Sequence, residues 1–516
     1  MSFNTLRRFF ARPAMLISLL LAWPFYILSD LRSGTPILAD PDFLLHLRNA
    51  QMLISSHHFP WQDVYSFTVF GHSWIDPEWL AELLYYLGFY MFGERGLFLV
   101  MLVAIELIVA GVFLRCCRRS EDVNAAFLAT IFFVLTAIVN MGFRTILFGW
   151  LCLIAELLLL DAFRRNRDHL WLLVPLFALW INLHGSWLFG IVIYVLFMAS
   201  GLVGGSWGSI AAVRWLPQQR RKLIAAGAGS IAALFFNPYG WRLVAYPFAL
   251  MFRQQQMVSS VQEWASLDFH SAIGKICMIV FAGMVVLMLA RPRTWQLHEV
   301  LFALFAIYAA MTHTRFLFLA GIVVCPLLAV ELVGVLFAPY DLNRDAGVSR
   351  TSAIIAGCNA VIMAAGLVFA LLHIPSSSVL RAAEAHYYPV QALPALETSC
   401  AQRRVFNDPN WGGYLIWNAR DIPVFMDTRI DIFDFDGVFP DALNALRMKD
   451  SLAILDRYRI GCVFLKPDAP LVYLLRNTSG WRVQYQDASA SLLVRTASGA
   501  ENSSLPGQRG QEPVSP

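Results

Sequence analysis

Residues 96–114, GLFLVMLVAIELIVAGVFL, form an apolar run whose one charged residue is Glu106 and which lies between Arg95 and Arg115. A helix of about 20 apolar residues is long enough to cross a bilayer, so we predict that this segment spans a membrane. Comparable runs recur through the first 370 residues, near 14–29, 124–141, 146–163, 170–183, 186–203, 223–236, 272–290, 298–312, 316–337 and 351–372. The sequence therefore predicts a mainly α protein, a polytopic transmembrane helical bundle of about eleven spans.

The composition excludes a soluble enzyme. Of the 516 residues, 58% are hydrophobic and 14% are charged, whereas a soluble domain carries about 25% charged residues. The net charge of +4 is small and the basic residues are scattered along the chain, so no nucleic-acid partner is expected. We expect an integral membrane protein that is surrounded by membrane lipid.

The basic residues also predict the orientation of the bundle, because Lys and Arg accumulate in short loops on the cytoplasmic side. With a cytoplasmic N-terminus, seventeen of them fall on the cytoplasmic side and eight in the opposite loops. An odd number of spans then places the C-terminal segment outside. Residues 4–29 could be taken for a secretory signal, but no small-residue cleavage site precedes Asp40, so we predict an uncleaved first span.

Beyond about residue 375 the apolar runs shorten and strand and helix patterns alternate. We predict a membrane domain over 1–374, a small C-terminal α/β extracytoplasmic domain over 375–497, and a disordered tail over 498–516 that is rich in Gly, Ser, Pro, Gln and Glu. The predicted strands are Val405–Asn407, Val424–Met426, Cys462–Leu465, Val483–Gln486 and Leu492–Val494, and the predicted helices are Ser451–Tyr458 and Leu471–Arg476.

Two features of the outer domain leave alternatives open. Cys400 and Cys462 are the two of the eight cysteines that fall in this domain; an oxidising compartment would allow them to pair, but the sequence does not show whether their geometry permits it. No spacing resembles a zinc site. We predict a solvated surface loop, with binding of glycan hydroxyls or a divalent cation as the alternatives, for an acidic stretch that contains Asp427, Arg429, Asp431, Asp434 and Asp436.

The first outer loop, residues 30–95, holds the candidate catalytic residues. It contains Asp40-Pro41-Asp42 and Asp76-Pro77-Glu78, and in both an Asp followed by Pro and an acid is typical of a helix start. A functional interpretation rests on the second carboxylate of the first turn and on His46, four residues after Asp42 and on the same helical face. We predict that Asp40 or Asp42 is a general base for a hydroxyl nucleophile, with His46, Asp76 and Glu78 in substrate binding.

Cationic residues lie at the outer ends of several spans. Guanidinium and imidazole groups that converge at a membrane surface can bind a lipid-linked phosphate, whereas an isolated Arg commonly extends to the headgroups without forming a site. We predict substrate-binding roles for Arg144, His184, Arg242, His313 and Arg315.

These motifs resemble the bacterial members of the GT-C superfamily, polytopic glycosyltransferases that use lipid-phosphate-linked sugars. The resemblance rests on Asp40-Pro41-Asp42 with His46-Leu47 and on five further segments: Pro60–Thr68, Trp74–Glu82, Asn182–Gly185, Trp411–Leu415 and Phe425–Arg429. The chain has Leu44-Leu45 where related sequences often have an aromatic pair, and Pro77 where they have a His. These departures weaken any transfer of substrate identity.

The resemblance implies an inverting transfer at the periplasmic face of a bacterial inner membrane. In such a reaction, a loop Asp deprotonates the acceptor hydroxyl, and polyprenyl phosphate leaves from the anomeric carbon and is held by outer Arg or His residues. The implied partners are a polyprenyl-phosphate-linked sugar and a glycan, lipid or protein acceptor. No cofactor or obligatory metal is expected, although a divalent metal remains an alternative.

Two other classes of function are compatible with the sequence. A transporter or flippase of lipid-linked saccharides would depend on intramembrane acids such as Glu106 and Glu156. A non-catalytic envelope assembly protein would tolerate replacement of Asp40, Asp42 and Arg144.

Overall fold

The computed structural model describes residues 40–137, 142–253, 264–290, 293–333 and 384–496, together with 361, 362, 364–366, 368 and 372. The chain divides into two compact units. Within the described residues, the helical unit comprises 77–249, 264–333 and the positions between 361 and 372, and the α/β unit comprises 40–76, 250–253 and 384–496.

The regular elements follow the hydrophobic pattern of the sequence. In chain order they are α1 (Phe43–Ser56), α2 (Trp79–Phe92), α3 (Glu94–Ser120), α4 (Val123–Ala137), α5 (Ile146–Arg164), α6 (Leu173–Leu183), α7 (Trp187–Ser200), β1 (Gly205–Trp207), β2 (Ile210–Ala212), α8 (Pro217–Ala233), α9 (Trp241–Arg253), α10 (Ala272–Ala290), β3 (Trp295–Gln296), α11 (Leu297–Thr312), α12 (Leu317–Leu332), α13 (Leu393–Cys400), β4 (Arg404–Asn407), α14 (Gly412–Asn418), α15 (Ile430–Phe435), α16 (Val438–Leu446), α17 (Ser451–Arg457), β5 (Ile460–Leu465), α18 (Pro470–Arg476), β6 (Trp481–Gln486) and β7 (Ser491–Arg495).

Within the described residues, four helical segments are long and apolar enough to cross a membrane: Glu94–Ser120, Ile146–Arg164, Ala272–Leu289 and Thr314–Leu332. They coincide with four of the predicted spans. Shorter apolar helices occupy four others, and the predicted spans at 14–29 and, for the most part, 351–372 lie outside the described residues. The total of eleven spans therefore stays a prediction.

Contacts at the two ends of the helical unit separate its polar residues into two groups. At one end the Tyr85 hydroxyl donates to the Arg144 carbonyl, and the Asn182 amide donates to the Phe236 carbonyl. At the other end the Arg165 guanidinium donates to the Arg118 carbonyl. The apolar middle includes Trp150, which stacks on Phe318 with ring centroids 4.6 Å apart.

The α/β unit is built on a four-stranded sheet with the order β4-β5-β7-β6. Strands β4 and β5 are parallel, and β7 is antiparallel to both of its neighbours. Every residue of β5 is buried, as expected of a central strand with helices on its faces. Four predicted strands and both predicted helices of this region are confirmed within a few residues.

The predicted strand Val424–Met426 is wrong. Val424 forms an isolated bridge with Ser66. Its backbone N–H donates to the Tyr65 carbonyl, and its carbonyl accepts the Phe67 N–H, both at 3.1 Å. Because the bridge pairs Val424 with a single loop residue, no strand ladder forms, although the segment is apolar and buried. The unit also differs from the predicted division of the chain, since residues 40–76 belong to it.

Cys400 at the end of α13 and Cys462 in β5 form a disulfide across 62 residues of sequence, and both are fully buried. Closing a loop of this length lowers the entropy of the unfolded chain by an amount equivalent to about 4 kcal/mol. We expect the Cys400→Ala/Cys462→Ala variant to unfold at a clearly lower temperature than the parent protein in detergent. Cys325→Ala is the control, because Cys325 is buried but not bridged, and its loss removes packing alone. Equal effects of the two changes would contradict a stabilising bridge.

Candidate functional site

The candidate general bases lie where the chain turns into α1. The Asp40 carboxylate accepts the backbone N–H of Asp42 at 3.0 Å. Asp408 accepts the N–H of Asn410 in the same way, at 2.9 Å, at the next Asp-Pro pair in this unit. Asp42 occupies the N-cap position of α1, but its side chain does not cap the helix. The structure thus assigns the turn-forming role to Asp40, a choice that the sequence left open.

A buried tyrosine lies beside both carboxylates. Tyr388 is 3% exposed, and its hydroxyl donates to the Asp40 carbonyl at 3.4 Å. Its ring stacks on Tyr414 with centroids 4.9 Å apart. Burial, followed by the charges of Asp40, Asp42 and Glu384, raises the pKa of Tyr388 above its ordinary value. The hydroxyl therefore stays protonated at neutral pH, and the surroundings of α1 carry several negative charges.

The glycines of the Trp411–Leu415 motif allow α14 to pack closely against the start of α1. A Cβ on Gly413 would lie 2.8 Å from the Pro41 carbonyl oxygen and 3.3 Å from Leu45 Cβ. A Cβ on Gly412 would lie 2.5 Å from Asp427 Cα. Contacts below 3.0 Å with backbone atoms cannot be relieved by a side-chain rotation, so only glycine fits at these two positions. The start of α14 is thereby packed between the Asp40–Leu45 segment and the segment that contains Asp427.

An ion triad joins the first loop to the segment after Val424. Arg429 Nη2 lies 2.5 Å from Asp63 Oδ1 and 2.6 Å from Asp427 Oδ2, and its Nε lies 2.9 Å from Asp427 Oδ1. Both carboxylates are fully buried, and the Arg429 side chain is 8% exposed. The Ser66 hydroxyl and backbone N–H donate to Asp63 Oδ2, at 2.7 and 2.9 Å. The prediction of a solvated loop is therefore wrong for Asp427 and Arg429.

The same guanidinium is enclosed by aromatic rings. It lies 4.5 Å from the centre of the Trp74 ring and 5.1 Å from that of Tyr65. Although burial opposes the charge, the two carboxylates raise the pKa of Arg429 above its ordinary value. The triad carries one net negative charge in an apolar setting.

In the helical unit, Glu78 and His184 form a polar cluster. Glu78 Oε2 accepts the Thr145 hydroxyl at 2.5 Å, and Glu78 Oε1 lies 3.3 Å from His184 Nε2. The Ser186 N–H donates to His184 Nδ1 at 3.0 Å. Since Nδ1 accepts a bond, the ring proton is on Nε2 and points at Glu78. The Trp180 indole donates to the Ser186 hydroxyl at 2.9 Å and fixes this turn.

The other predicted phosphate-binding residues lie elsewhere in the helical unit. The Arg315 guanidinium lies 4.7 Å above the Trp264 ring, and the His313 ring contacts the same indole at 5.4 Å between centroids. Arg144 precedes Thr145 in the Glu78 cluster. Arg242 is exposed at the start of α9. The structure thus groups Glu78 with His184, and His313 with Arg315.

The remaining predicted site residues belong to the α/β unit. His46 is half-buried in the first turns of α1, and its N–H donates to the Asp42 carbonyl at 2.9 Å. Asp76 is 3% exposed. Site roles were not predicted for Tyr388, Asp63 or Thr145. Asp63 lies in the Pro60–Thr68 motif and Thr145 follows Arg144, whereas no local pattern marked Tyr388.

Within the described part of the chain, no three His, Cys, Asp or Glu side chains are arranged to hold a metal ion. In the cluster of Glu78 and His184, Thr145 contributes a hydroxyl that donates a hydrogen bond to Glu78.

The solved structures that resemble this chain include two of ArnT and one of an oligosaccharyltransferase. ArnT from Cupriavidus metallidurans bound to undecaprenyl phosphate matches 93% of this chain and 98% of its own, with a TM-score of 0.53 and 14% identity. The apo state of ArnT matches over the same shares, with a TM-score of 0.52 and 13% identity. The Archaeoglobus fulgidus oligosaccharyltransferase tethered to an acceptor peptide matches 86% of this chain and 68% of its own, with a TM-score of 0.52 and 12% identity. No protein-family model matches the sequence, and no curated protein matches it.

Proposed function

Since the chain has the fold of the GT-C superfamily and lies in a membrane, we propose that it is an inverting glycosyltransferase. The donor is a polyprenyl-phosphate-linked sugar, and the acceptor is a hydroxyl of a glycan, a lipid or a protein. The observation that carries this proposal is made at the start of α1. The Asp40 carboxylate accepts the Asp42 N–H and forms the turn, whereas the Asp42 side chain does not cap the helix. Undecaprenyl phosphate is bound by the similar ArnT, which favours this donor class.

In the proposed reaction, Asp42 takes the proton of the acceptor hydroxyl as the oxygen attacks the anomeric carbon. The bond between that carbon and the phosphate oxygen breaks, and its electron pair leaves with the polyprenyl phosphate. Attack opposite the leaving group inverts the anomeric centre. Fixed cations stabilise the leaving phosphate, and the candidates for this role are Arg144, Arg242, His313 and Arg315.

The transfer is proposed to occur on the periplasmic side of a bacterial inner membrane. The internal disulfide of the α/β unit supports this placement, because structural disulfides persist in oxidising compartments. A transporter or flippase is the alternative, and the observation in its favour is Glu156. This residue is fully buried in α5, and neither of its carboxyl oxygens has a hydrogen-bond partner among the described residues.

The test of the proposal is an assay with purified protein in detergent and short-chain polyprenyl-phosphate sugars labelled in the sugar. Transfer into membrane glycan, lipid or protein fractions, together with equimolar release of polyprenyl phosphate, is expected for at least one sugar. Movement of intact donor across proteoliposomes without release of polyprenyl phosphate would instead establish transport.

The tautomer of His184 gives a second prediction. In His184→Gln the amide nitrogen can replace the Nε2 donor to Glu78, whereas in His184→Asn the amide oxygen can replace the Nδ1 acceptor for Ser186. We expect Asn to lower kcat/KM for transfer about 10–100-fold, because a hydrogen bond to a charged group contributes about 1.5–3 kcal/mol. Gln should lower kcat/KM less than Asn, as measured by initial rates of sugar transfer. The reverse order would mean that the turn at Ser186, rather than the contact with Glu78, is what His184 supplies.

A further inference from the structure

A pocket lies at the end of the helical unit opposite to Glu78 and His184. It is enclosed by α3, α5, α11 and α12, and its cavity volume is about 30 Å³. Its polar lining comes from Arg115, Arg119, Asp161, His298 and Glu299, and its apolar lining from Phe302, Val323, Pro326 and Leu327. Charged and apolar groups therefore meet in one pocket, as at a lipid headgroup.

The polar lining includes a buried group without a partner. His298 is 7% exposed, and its Nδ1 has no hydrogen-bond partner among the described residues. The ring is held edge-on by Phe197 and Phe302, with centroids 5.5 and 5.7 Å away. A buried imidazole nitrogen that lines a cavity is costly to leave unpaired, so this position favours a bound polar group.

The arginines of the pocket keep donors available. Arg119 uses Nε and Nη2 on the Glu299 carboxylate, at 2.5 and 3.0 Å. Arg115 uses Nε on Asp161 at 3.2 Å and Nη1 on the Ile322 carbonyl at 2.8 Å. Within the described residues, Arg119 Nη1 and Arg115 Nη2 thus have no acceptor.

The charge at this pocket is positive. The lining contains the guanidinium groups of Arg115 and Arg119 and the carboxylates of Asp161 and Glu299. Arg164 does not line the pocket, but its guanidinium lies 5.2 Å from the centre of the Phe197 ring, and that ring packs edge-on against His298. With Arg164 counted as a nearby charge, three guanidinium groups lie at or near the pocket, against two carboxylates. The excess of one positive charge matches a phosphodiester, which carries one negative charge.

We propose that this pocket binds the headgroup phosphate of an anionic phospholipid. Basic pockets between transmembrane helices on the cytoplasmic side are suited to such headgroups, and the positive-inside distribution predicts that this end is cytoplasmic. Arg119 and His298 donate to the phosphate, while Phe302, Pro326 and Leu327 contact the glycerol and the first acyl carbons. This site is separate from the proposed glycosyl transfer and does not depend on it.

The test is lipid binding by the full chain, reconstituted in phosphatidylcholine nanodiscs with or without phosphatidylglycerol and followed by native mass spectrometry after release into detergent. We expect phosphatidylglycerol to be retained in preference to phosphatidylcholine. His298→Phe keeps the aromatic packing and removes the donor, and it should weaken retention about tenfold, as for the loss of one charge-assisted hydrogen bond. Arg118→Gln is the control, because Arg118 is exposed at the same end of the bundle but does not line the pocket; it should change retention less than twofold.

Arg119→Lys is a second variant for the case that His298→Phe unfolds. It keeps the charge beside Glu299 but loses the planar fork, and it should also lower retention. Equal retention of the two lipids would overturn the proposal, as would an equal effect of Arg118→Gln and His298→Phe, which would indicate surface charge alone. Competition by glycerol phosphate as effective as that by phosphatidylglycerol would also overturn it, because the ligand would then be a soluble phosphate rather than a lipid.

Discussion

Asp42→Asn is expected to lower sugar transfer about 10²–10⁴-fold, because this is the usual contribution of a positioned general base. The amide is close in size to the carboxylate and cannot take the acceptor proton. Since the Asp42 side chain does not cap α1, the helix start should persist and the protein should keep its thermal stability. Donor binding, measured with a non-transferable polyprenyl-phosphate analogue, is expected to change little.

Asp40→Asn is the matched control for this experiment. Asparagine forms such turns and caps about as well as aspartate, so the bond from the Asp42 N–H is retained and most of the transfer activity should remain. A loss of transfer in Asp40→Asn alone would exchange the two roles. If both variants and their combination transfer sugar at the parent rate, the carboxylates at α1 take no part in the chemistry. The proposed enzyme would then have no identified general base.

Much of the architecture could be predicted from local sequence patterns. Apolar length was sufficient for the helices around 96–114 and 146–163, since a long apolar run has few other stable solutions. The helices α2 and α9 were not predicted, because each is short and lies within a stretch that was assigned to a loop. Length and apolarity alone do not distinguish such helices from connections.

The contacts made by distant residues could not be predicted. Asp63 and Arg429 are 366 residues apart in sequence and meet in a buried pair, and nothing in either local pattern indicates the other. The acidic composition around Asp427 suggested a solvated surface, which holds for the exposed Asp436, bonded to His72 at 2.6 Å. Similarly, the Asp-Pro motif predicted a helix start at both Asp40 and Asp76, but whether Asp40 or Asp42 forms the turn depends on backbone geometry. Sequence therefore located the candidate carboxylates, and the structure shows which of them accepts the N–H at the turn, namely Asp40.

Arg429→Met is expected to give the largest loss of stability among the substitutions considered. It leaves Asp63 and Asp427, both fully buried, without a counter-charge, and removing one partner of a buried ion pair costs about 3–5 kcal/mol. Thermal unfolding of the full chain in detergent should shift down by about 6–20 °C, if the α/β unit responds as a domain of about 150 residues does. Limited proteolysis should then cut within residues 57–76, because this loop is held by Arg429, by the Thr68 hydroxyl bond to the Phe425 carbonyl and by the Val424 bridge.

Two further variants separate charge burial from loss of packing. Asp63→Asn/Asp427→Asn/Arg429→Met removes all three charges and should recover part of the lost stability, since neutral amides are less costly to bury than unpaired carboxylates. Arg457→Met is the surface control, because the Arg457 side chain is 60% exposed in its pair with Asp441, and its loss should cost less than about 1 kcal/mol. If Arg429→Met were no more destabilising than Arg457→Met, the triad could not be what holds the first loop in the α/β unit. A large loss that the triple variant does not relieve would instead assign the effect to the aromatic packing of the guanidinium against Trp74 and Tyr65.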